Sequence, residues 1–301
     1  MPVSESSIPK NFKAGFVSIV GKPNVGKSTL LNLILKEKIS IISPKPQTTR
    51  QQVKGIYTDA EKQIVFLDTP GYVKSRYELH EKMRKYLVNS INDSDFIIFI
   101  TDAHKFPTEY DEEVIKLIQK LKVPKIAILN KIDLVDQEKC QEQTALLSTM
   151  NFEEVIPLSL IQQVDVDNLL EIFSRFLPYN PPFYSPDDVS DLPLRFFVQE
   201  IIREKIFLSY RDELPYASTV VVENYNDFPN KVEIAANIWL ERDSQKPILI
   251  GKNGENIRKL RQASEKEIHT IVGKRVKLEL WVKIKPNWRK KKNSLKEFGY
   301  I

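Results

Sequence analysis

Gly21-Lys22-Pro23-Asn24-Val25-Gly26-Lys27-Ser28-Thr29 decides the fold. It follows the apolar run Phe16-Val17-Ser18-Ile19-Val20 and precedes Leu30-Leu31-Asn32-Leu33-Ile34. The pattern G-x-x-x-x-G-K-S between a strand and a helix start is that of a phosphate-binding loop. Its glycines let the backbone curl so that N–H groups face one point, and the opening helix adds its positive end there. Lys27 is placed to reach the β- and γ-phosphates, and the Ser28 hydroxyl to hold Mg²⁺. The remaining loop residues, with Thr29, complete the expected nucleotide contact.

Two further segments follow apolar strands. Ile64-Val65-Phe66-Leu67 ends in Asp68-Thr69-Pro70-Gly71-Tyr72, where the Asp68 carboxylate can hold a magnesium water and the Gly71 N–H can meet the γ-phosphate. Lys125-Ile126-Ala127-Ile128-Leu129 ends in Asn130-Lys131-Ile132-Asp133. A carboxylate at Asp133 can accept two hydrogen bonds from the N1–H and 2-amino group of guanine. Adenine lacks that pair, and an unpaired buried acceptor is costly, so this residue selects GTP over ATP. Lys131 is expected along the base, with Asn130 bracing the site. Together, in this order, the three motifs say GTPase.

Strand-like runs recur at 16–20, 64–68, 96–100, 125–129 and 155–159, with helical spacing between them, as in Glu112–Leu121 and Gln141–Thr149. Such alternation predicts an α/β, P-loop GTPase domain with a mostly parallel sheet. All three motifs then converge on the strand ends where open α/β sheets bind ligands. Residues 53–58 fit an antiparallel edge strand. Four prolines between Pro178 and Pro186 cannot propagate a helix or central strand and mark a boundary. The expected organisation is a GTPase domain over 14–182, a linker over 183–193, a second domain over 194–290 and a tail over 291–301.

The 301 residues allow two domains, and 42% hydrophobic with 28% charged residues describes an ordinary globular protein. A single cysteine, Cys140, excludes an internal disulfide and fits a reducing compartment. The first twelve residues lack a signal-peptide core, and no apolar run approaches the length that spans a bilayer. His80, His104 and His269 are scattered and suggest no transition-metal site. The net charge of +5 hides an asymmetry: from Pro247 onward 15 Lys and Arg face 5 Asp and Glu, a net of +10 that leaves −5 for the rest. A basic C-terminal segment is the footprint of nucleic acid or an anionic membrane surface.

The second domain reads as a helix from Leu194 to Tyr210, strands at 217–223 and 232–240, then Ile248-Leu249-Ile250 followed by Gly251-Lys252-Asn253-Gly254. A basic helix with Arg258, Lys259 and Arg261 comes next, and a closing strand at 277–284. A G-x-x-G between two helical pieces is the clamp by which KH domains hold a nucleic-acid backbone. The order helix, strands, helix, G-x-x-G, helix, strand predicts an α+β type-2 KH domain. Trp239 and Trp281, on alternating strands, are expected in the core. Trp288, among Lys285, Arg289, Lys290 and Lys291, is the expected contact with a base.

These residues resemble the Era family of bacterial ribosome-assembly GTPases. Beyond the motifs above, the resemblance rests on Pro46-Gln47-Thr48-Thr49-Arg50, Glu200-Ile201-Ile202-Arg203-Glu204-Lys205, Glu213-Leu214-Pro215-Tyr216 and Glu279-Leu280-Trp281-Val282-Lys283. It runs from about residue 14 to the C-terminus. It implies a GTP-hydrolysing switch that binds small-subunit (16S) rRNA near its three-prime end and assists maturation of the 30S subunit. It also implies a cytoplasmic monomer with peripheral contact at the inner face of the bacterial membrane. The alternative reading makes the basic domain mainly a membrane anchor. Thr48-Thr49 matches the family's switch segment, where a threonine closes over Mg²⁺ and the γ-phosphate; Thr49 is favoured. Asn24 matches the loop asparagine of related GTPases that recruit K⁺, which joins Mg²⁺ as an implied cofactor. Lys27, Thr49, Gly71 and Asn24 are thus the expected catalytic set.

Two positions depart from the pattern. The fifth nucleotide motif, usually Ser-Ala with Gly two residues on, is Ser159-Leu160-Ile161-Gln162 here. Tyr72 stands where Ras-like switches carry the glutamine that orients the attacking water, so slow intrinsic hydrolysis is expected. The extension before residue 14 carries no assigned role.

Overall fold

The computed structural model describes residue 9 and residues 11–300; the start of the N-terminal extension lies outside them. The chain forms two compact units.

The first unit comprises the described residues up to Ser40 with Thr49–Lys74 and Met83–Asp191. Its sheet joins β1 (Lys13–Val20), β2 (Val53–Thr58), β3 (Lys62–Asp68), β4 (Phe96–Asp102), β5 (Lys125–Asn130) and β6 (Glu154–Pro157). The spatial order is β2-β3-β1-β4-β5-β6. Every pairing is parallel except β2 with β3, which is antiparallel, as expected for residues 53–58. β4 is buried at all seven positions and β5 at all six. A parallel strand with a helix layer on each face reads as an unbroken apolar run for that reason.

The helices of this unit are α1 (Lys27–Leu35), the body of α2 (Glu78–Asn92), α3 (Glu109–Ile118), α4 (Gln137–Ser148) and α5 (Val166–Ser174). α3 starts three residues before the spacing suggested. Thr108 caps it, and Asp111 closes a capping box by accepting from the Thr108 backbone. α4 likewise starts earlier, on an Asp136 cap whose carboxylate accepts from the Lys139 N–H. Capping carboxylates extend a helix beyond its apolar stripe.

The expected linker is tied down along its length. The Phe183 and Tyr184 N–H groups donate to Gln63 Oε1 at 2.7 and 3.0 Å, and the Gln63 amide donates to the Tyr184 carbonyl at 2.9 Å. The Ile56 N–H donates to the Val189 carbonyl at 2.8 Å, and Lys54 pairs with Asp191 at 2.6 Å. Prolines forbid a sheet ladder here, and side-chain hydrogen bonds replace it.

The second unit comprises Ile41–Thr48, Ser75–Lys82 and the described residues from Leu192 on. The contiguous boundary expected from sequence is therefore corrected: two short segments from the first half of the chain belong to this unit. Its elements are α6 (Leu194–Ser209), α7 (Leu214–Ala217), β7 (Thr219–Asp227), β8 (Lys231–Leu240), α8 (Gln245–Ile250), α9 (Glu255–Val272), β9 (Arg275–Ile284) and α10 (Lys292–Glu297). The sheet order is β7-β8-β9, with β7 antiparallel and β9 parallel to the central β8. Val222, Ile234, Ile238 and Leu278 form one core with Ile202, Ile206, Leu260 and Ile268 of α6 and α9.

Residues 41–48 lie against α6. The Ile42 N–H donates to Glu204 at 3.0 Å, Lys45 donates to the carbonyls of Phe207 and Tyr210, and Arg203 donates to the Thr48 carbonyl. The 75–82 segment is held by Arg289, whose guanidinium lies 5.0 Å over the Tyr77 ring while pairing with Glu241 at 2.5 Å. The expected tail is part of the domain: Leu295 is buried, and Tyr300 is buried beside Trp288.

Candidate functional site

The phosphate loop is anchored at both ends. Lys22 is expected among the nucleotide contacts, but its ammonium points elsewhere. It pairs at 2.7 Å with Asp111, whose other oxygen accepts from Thr101 at 2.7 Å. Asp111 is fully buried and both its oxygens accept hydrogen bonds, so this pair fixes the loop to α3. Only the backbone of Lys22 is left to meet a phosphate. Lys27 folds back over the loop and donates to the carbonyls of Lys22 (2.9 Å) and Gly21 (3.3 Å). Burial lowers its ammonium from 10.5 to about 8, although the Asp68 charge acts to raise it. Asp68 is the carboxylate that acts on this lysine, and among the described residues none is paired with it, which leaves the ammonium open to a phosphate.

Ser28, Thr49 and Asp68 meet at one point. The Ser28 hydroxyl donates to Asp68 Oδ2 at 2.7 Å and lies 3.1 Å from the Thr49 hydroxyl. Asp68 is fully buried, its other oxygen has no hydrogen-bond partner, and burial raises its pKa above the ordinary carboxylate value. Two hydroxyls and an orphaned carboxylate oxygen form the hard oxygen set that suits Mg²⁺. Of the two candidate threonines, Thr48 turns its hydroxyl to the Lys45 carbonyl at 2.8 Å. Thr49 is therefore the one beside Ser28.

Gly71 passes close to the loop. A Cβ built there would lie 2.8 Å from the Pro23 nitrogen and 2.9 Å from its Cα, and the following Tyr72 N–H donates to the Gly21 carbonyl at 3.2 Å. Only glycine allows two backbones this close. The Tyr72 ring packs edge-on against Tyr110 at 6.3 Å. Burial raises its phenol pKa, with a hydrogen bond to Glu113 adding to the shift. A protonated phenol held in this way is no water-orienting amide.

The guanine-reading segment is built around Asn130. Its Nδ2 donates to the Val25 carbonyl at 2.7 Å, while its Oδ1 accepts from the N–H groups of Lys131 (2.8 Å) and Leu160 (3.1 Å). One side chain thus joins the phosphate loop, the Asn-Lys-x-Asp turn and the fifth motif. Lys131 donates to the Asn24 carbonyl at 2.8 Å and pairs with Asp102 at 2.6 Å. Burial alone would raise Asp102, but Lys131 holds it below the ordinary carboxylate value. Asp133 is exposed and oriented by the Ser159 hydroxyl at 2.5 Å, which leaves a carboxylate edge for the base. The Leu160 side chain is buried, so its bulk sits beneath the site. Asp102 and Asp111 went unmarked in the sequence because each lies outside the nucleotide motifs.

In the second unit the G-x-x-G turn has three residues with positive φ: Gly251 (75°), Asn253 (53°) and Gly254 (75°). A Cβ at Gly251 would meet Asn256 at 2.6 Å, whereas at Gly254 it would meet only Ile257 Cγ2, at an ordinary 4.0 Å. The backbone N–H groups of Lys252 and Asn253 take no acceptor among the described residues. Lys252, Asn253, Arg258 and Lys259 are all exposed around that turn. Free donors beside exposed cations make an anion cradle.

Trp288 is not part of this surface. It is fully buried, its indole N–H donates to the Ala217 carbonyl at 2.8 Å, and its ring packs on Phe298 and Tyr300. Basic neighbours suggested a base contact, while the downstream Phe298 and Tyr300 that pack on it were the missed signal. Trp281, expected in the core, is instead 60% exposed, and Trp239 is half-buried on the same outer sheet face.

A guanine-selecting P-loop domain followed by a G-x-x-G domain of this topology defines a class: a GTPase carrying a C-terminal KH domain. Residues 16–131 match the family model described as 50S ribosome-binding GTPase, and residues 213–289 match the KH domain model. A crystal structure of an Aquifex aeolicus Era variant bound to GDP and AlF4⁻ is 36% identical. Its TM-score is 0.92, over 96% of this chain and 99% of that one. Era in complex with MgGDPNP and nucleotides 1506–1542 of 16S ribosomal RNA is likewise 36% identical, with a TM-score of 0.93 and the same coverage. The chain belongs to the Era family. It is a GTPase with Mg²⁺ as cofactor.

Proposed function

We propose that this protein is a GTP-driven switch that binds small-subunit rRNA near its three-prime end and assists maturation of the 30S subunit. The observation that carries the RNA reading is the G-x-x-G turn, with its positive-φ glycines and two unspent N–H donors beside exposed cations. A phosphate needs such a cradle; a membrane anchor needs only charge. The family relative bound to a 16S fragment supports the choice of RNA.

In the nucleotide site, the loop backbone from Gly21 to Thr29 and the Lys27 ammonium hold the phosphates, and Asp133 reads guanine. Ser28, Thr49 and Asp68 hold Mg²⁺, which neutralises charge on the β- and γ-oxygens. The Gly71 N–H meets the γ-phosphate. With Tyr72 unable to orient water, intrinsic hydrolysis is slow. Asn24, exposed on the loop with φ of 64°, is the residue we assign to K⁺. Among the described residues no helix is long and apolar enough to cross a membrane. We place the protein in the cytoplasm as a monomer, with its basic second domain also giving peripheral contact to the inner membrane.

Crosslinking and sequencing of RNA bound in cells tests this reading. The comparison is between the intact protein and a folded Gly251→Asp, Gly254→Asp double variant. Reads concentrated at the three-prime end of the small-subunit rRNA, and lost in the variant, are expected. Diffuse reads indifferent to the glycine changes would overturn it in favour of nonspecific charge or a membrane anchor.

A further inference from the structure

The sheet of the second unit packs its inner face on α6 and α9, and its outer face is covered by Phe298 at the Trp239 end but exposed along β9. Leu278, Leu280, Val282 and Ile284 of β9 belong to the inner side. The two-residue period of a strand therefore turns Arg275, Lys277, Glu279, Trp281 and Lys283 outward, and all five are exposed. Trp281 is the one exposed tryptophan of the three. Burial of so large a ring would stabilise the fold by about 1.5–3 kcal/mol, so the fold forgoes that gain here.

What surrounds Trp281 has the chemistry of a base contact. Its cross-strand partner is Asn237, which is 2% exposed. Asn237 spends its Nδ2 on Glu223 at 2.5 Å, and its Oδ1 has no partner among the described residues. The Trp281 indole N–H has none either. An open π-face thus stands beside an unspent acceptor and an unspent donor. The charges of this row are mostly neutralised: Lys277 pairs with Glu279 at 3.1 Å, and on the neighbouring strand Lys231 pairs with Glu233 at 2.8 Å. Those left over on the outer row of β9 are both cations, Arg275 and Lys283. Lys283 lies 5.3 Å over the Trp239 ring, diagonally beside Trp281.

We propose that this outer sheet face is a second RNA contact, where Trp281 stacks on one unpaired base and Lys283 meets an adjoining phosphate. It rests on the RNA reading above but is separate from the G-x-x-G cradle, which lies between the helices α8 and α9. A flat, neutral base suits a single ring set among paired charges, and stacking of this kind tolerates any sequence. An anionic membrane would call for a cluster of unpaired cations. A protein partner would call for a broad apolar centre, and the flanking row is charged.

The test uses the full chain and a synthetic RNA corresponding to nucleotides 1506–1542 of 16S rRNA. Trp281→Ala should weaken binding about 5- to 150-fold, the range for losing one base–aromatic stack. The intact protein should show RNA-induced quenching of tryptophan fluorescence, and Trp281→Phe should retain most affinity but lose that quenching. The salt slope of binding should stay unchanged in both, since neither removes a phosphate contact. Thermal melts confirm that the variants fold. Unchanged affinity and quenching in the two variants would overturn this proposal while leaving the cradle standing. Loss of binding in Trp281→Ala with none in Gly251→Asp, Gly254→Asp would support this face and sink the cradle. No binding by the intact protein would end both.

Discussion

The side-chain amide of Asn130 donates to the carbonyl of Val25 at 2.7 Å, which couples the segment that reads the base to the loop that holds the phosphates. The same side chain accepts from Lys131 and Leu160. Its removal leaves three backbone groups without their partner, each worth about 1–3 kcal/mol when buried. Asn130→Ala should therefore weaken GDP and GTP together, by at least about tenfold. Calorimetric titration with both nucleotides checks this, and loss of one affinity alone would contradict it.

Lys27 makes nucleotide binding depend on pH. Its ammonium sits at about 8 in the free site. Phosphate charge favours the protonated form, so the bound value is higher than the free one. A group with a higher pKa in the complex takes up a proton on binding, and affinity falls as pH rises through about 8. Titrations in buffers of differing ionisation heat should show proton uptake above that pH and little near neutrality. Equal proton counts in the two ranges would rule the effect out.

Gly71 should separate the two nucleotides. The methyl of Gly71→Ala would press on Pro23 backbone atoms 2.8–2.9 Å away, which yield far less readily than a side-chain tip. The strand end then shifts from where a γ-phosphate would be met. GTP affinity should drop at least about tenfold, ~1.4 kcal/mol, with GDP affected far less. Fluorescent-nucleotide titrations measure both, and equal losses would show that the loop itself had been displaced.

Trp288 belongs to folding and not to RNA. Trp288→Ala should destabilise the second domain by about 3–5 kcal/mol, as expected for emptying a buried aromatic site. The RNA affinity of the fraction that remains folded should be unchanged. Chemical denaturation and a binding assay at low temperature separate the two effects. A stable variant with weak RNA binding would return Trp288 to the interface.

The potassium assignment is tested by turnover in KCl and in NaCl at equal ionic strength. Faster hydrolysis in KCl, abolished by Asn24→Ala, is the expected result. Equal rates would remove K⁺ from the site.

Much of this was legible because the parallel strands carry their signal locally. β4 and β5 carry the unbroken apolar runs Phe96–Ile100 and Ile126–Leu129, and the nucleotide motifs follow strand ends where the fold must place them. The parity of β9 was legible too: Leu278, Leu280, Val282 and Ile284 face one way, so Trp281 must face the other, whatever its size suggests. Other features have no local signature. Residues 41–48 join the second unit through Lys45 and Arg203, pairings between positions more than 150 apart in sequence. Asp111 looks like an ordinary helix-capping residue until the structure brings Lys22 to it.

The pinned proline-rich segment has a consequence for solubility. β2 is an outer strand of its sheet, and such a strand presents backbone donors on which another chain can add. Here the Ile56 N–H is already given to the Val189 carbonyl, and Ser190 donates to the Lys54 carbonyl. A stretch that reads as a spacer is therefore also a seal: it occupies the place where a stray strand would begin a chain-to-chain sheet.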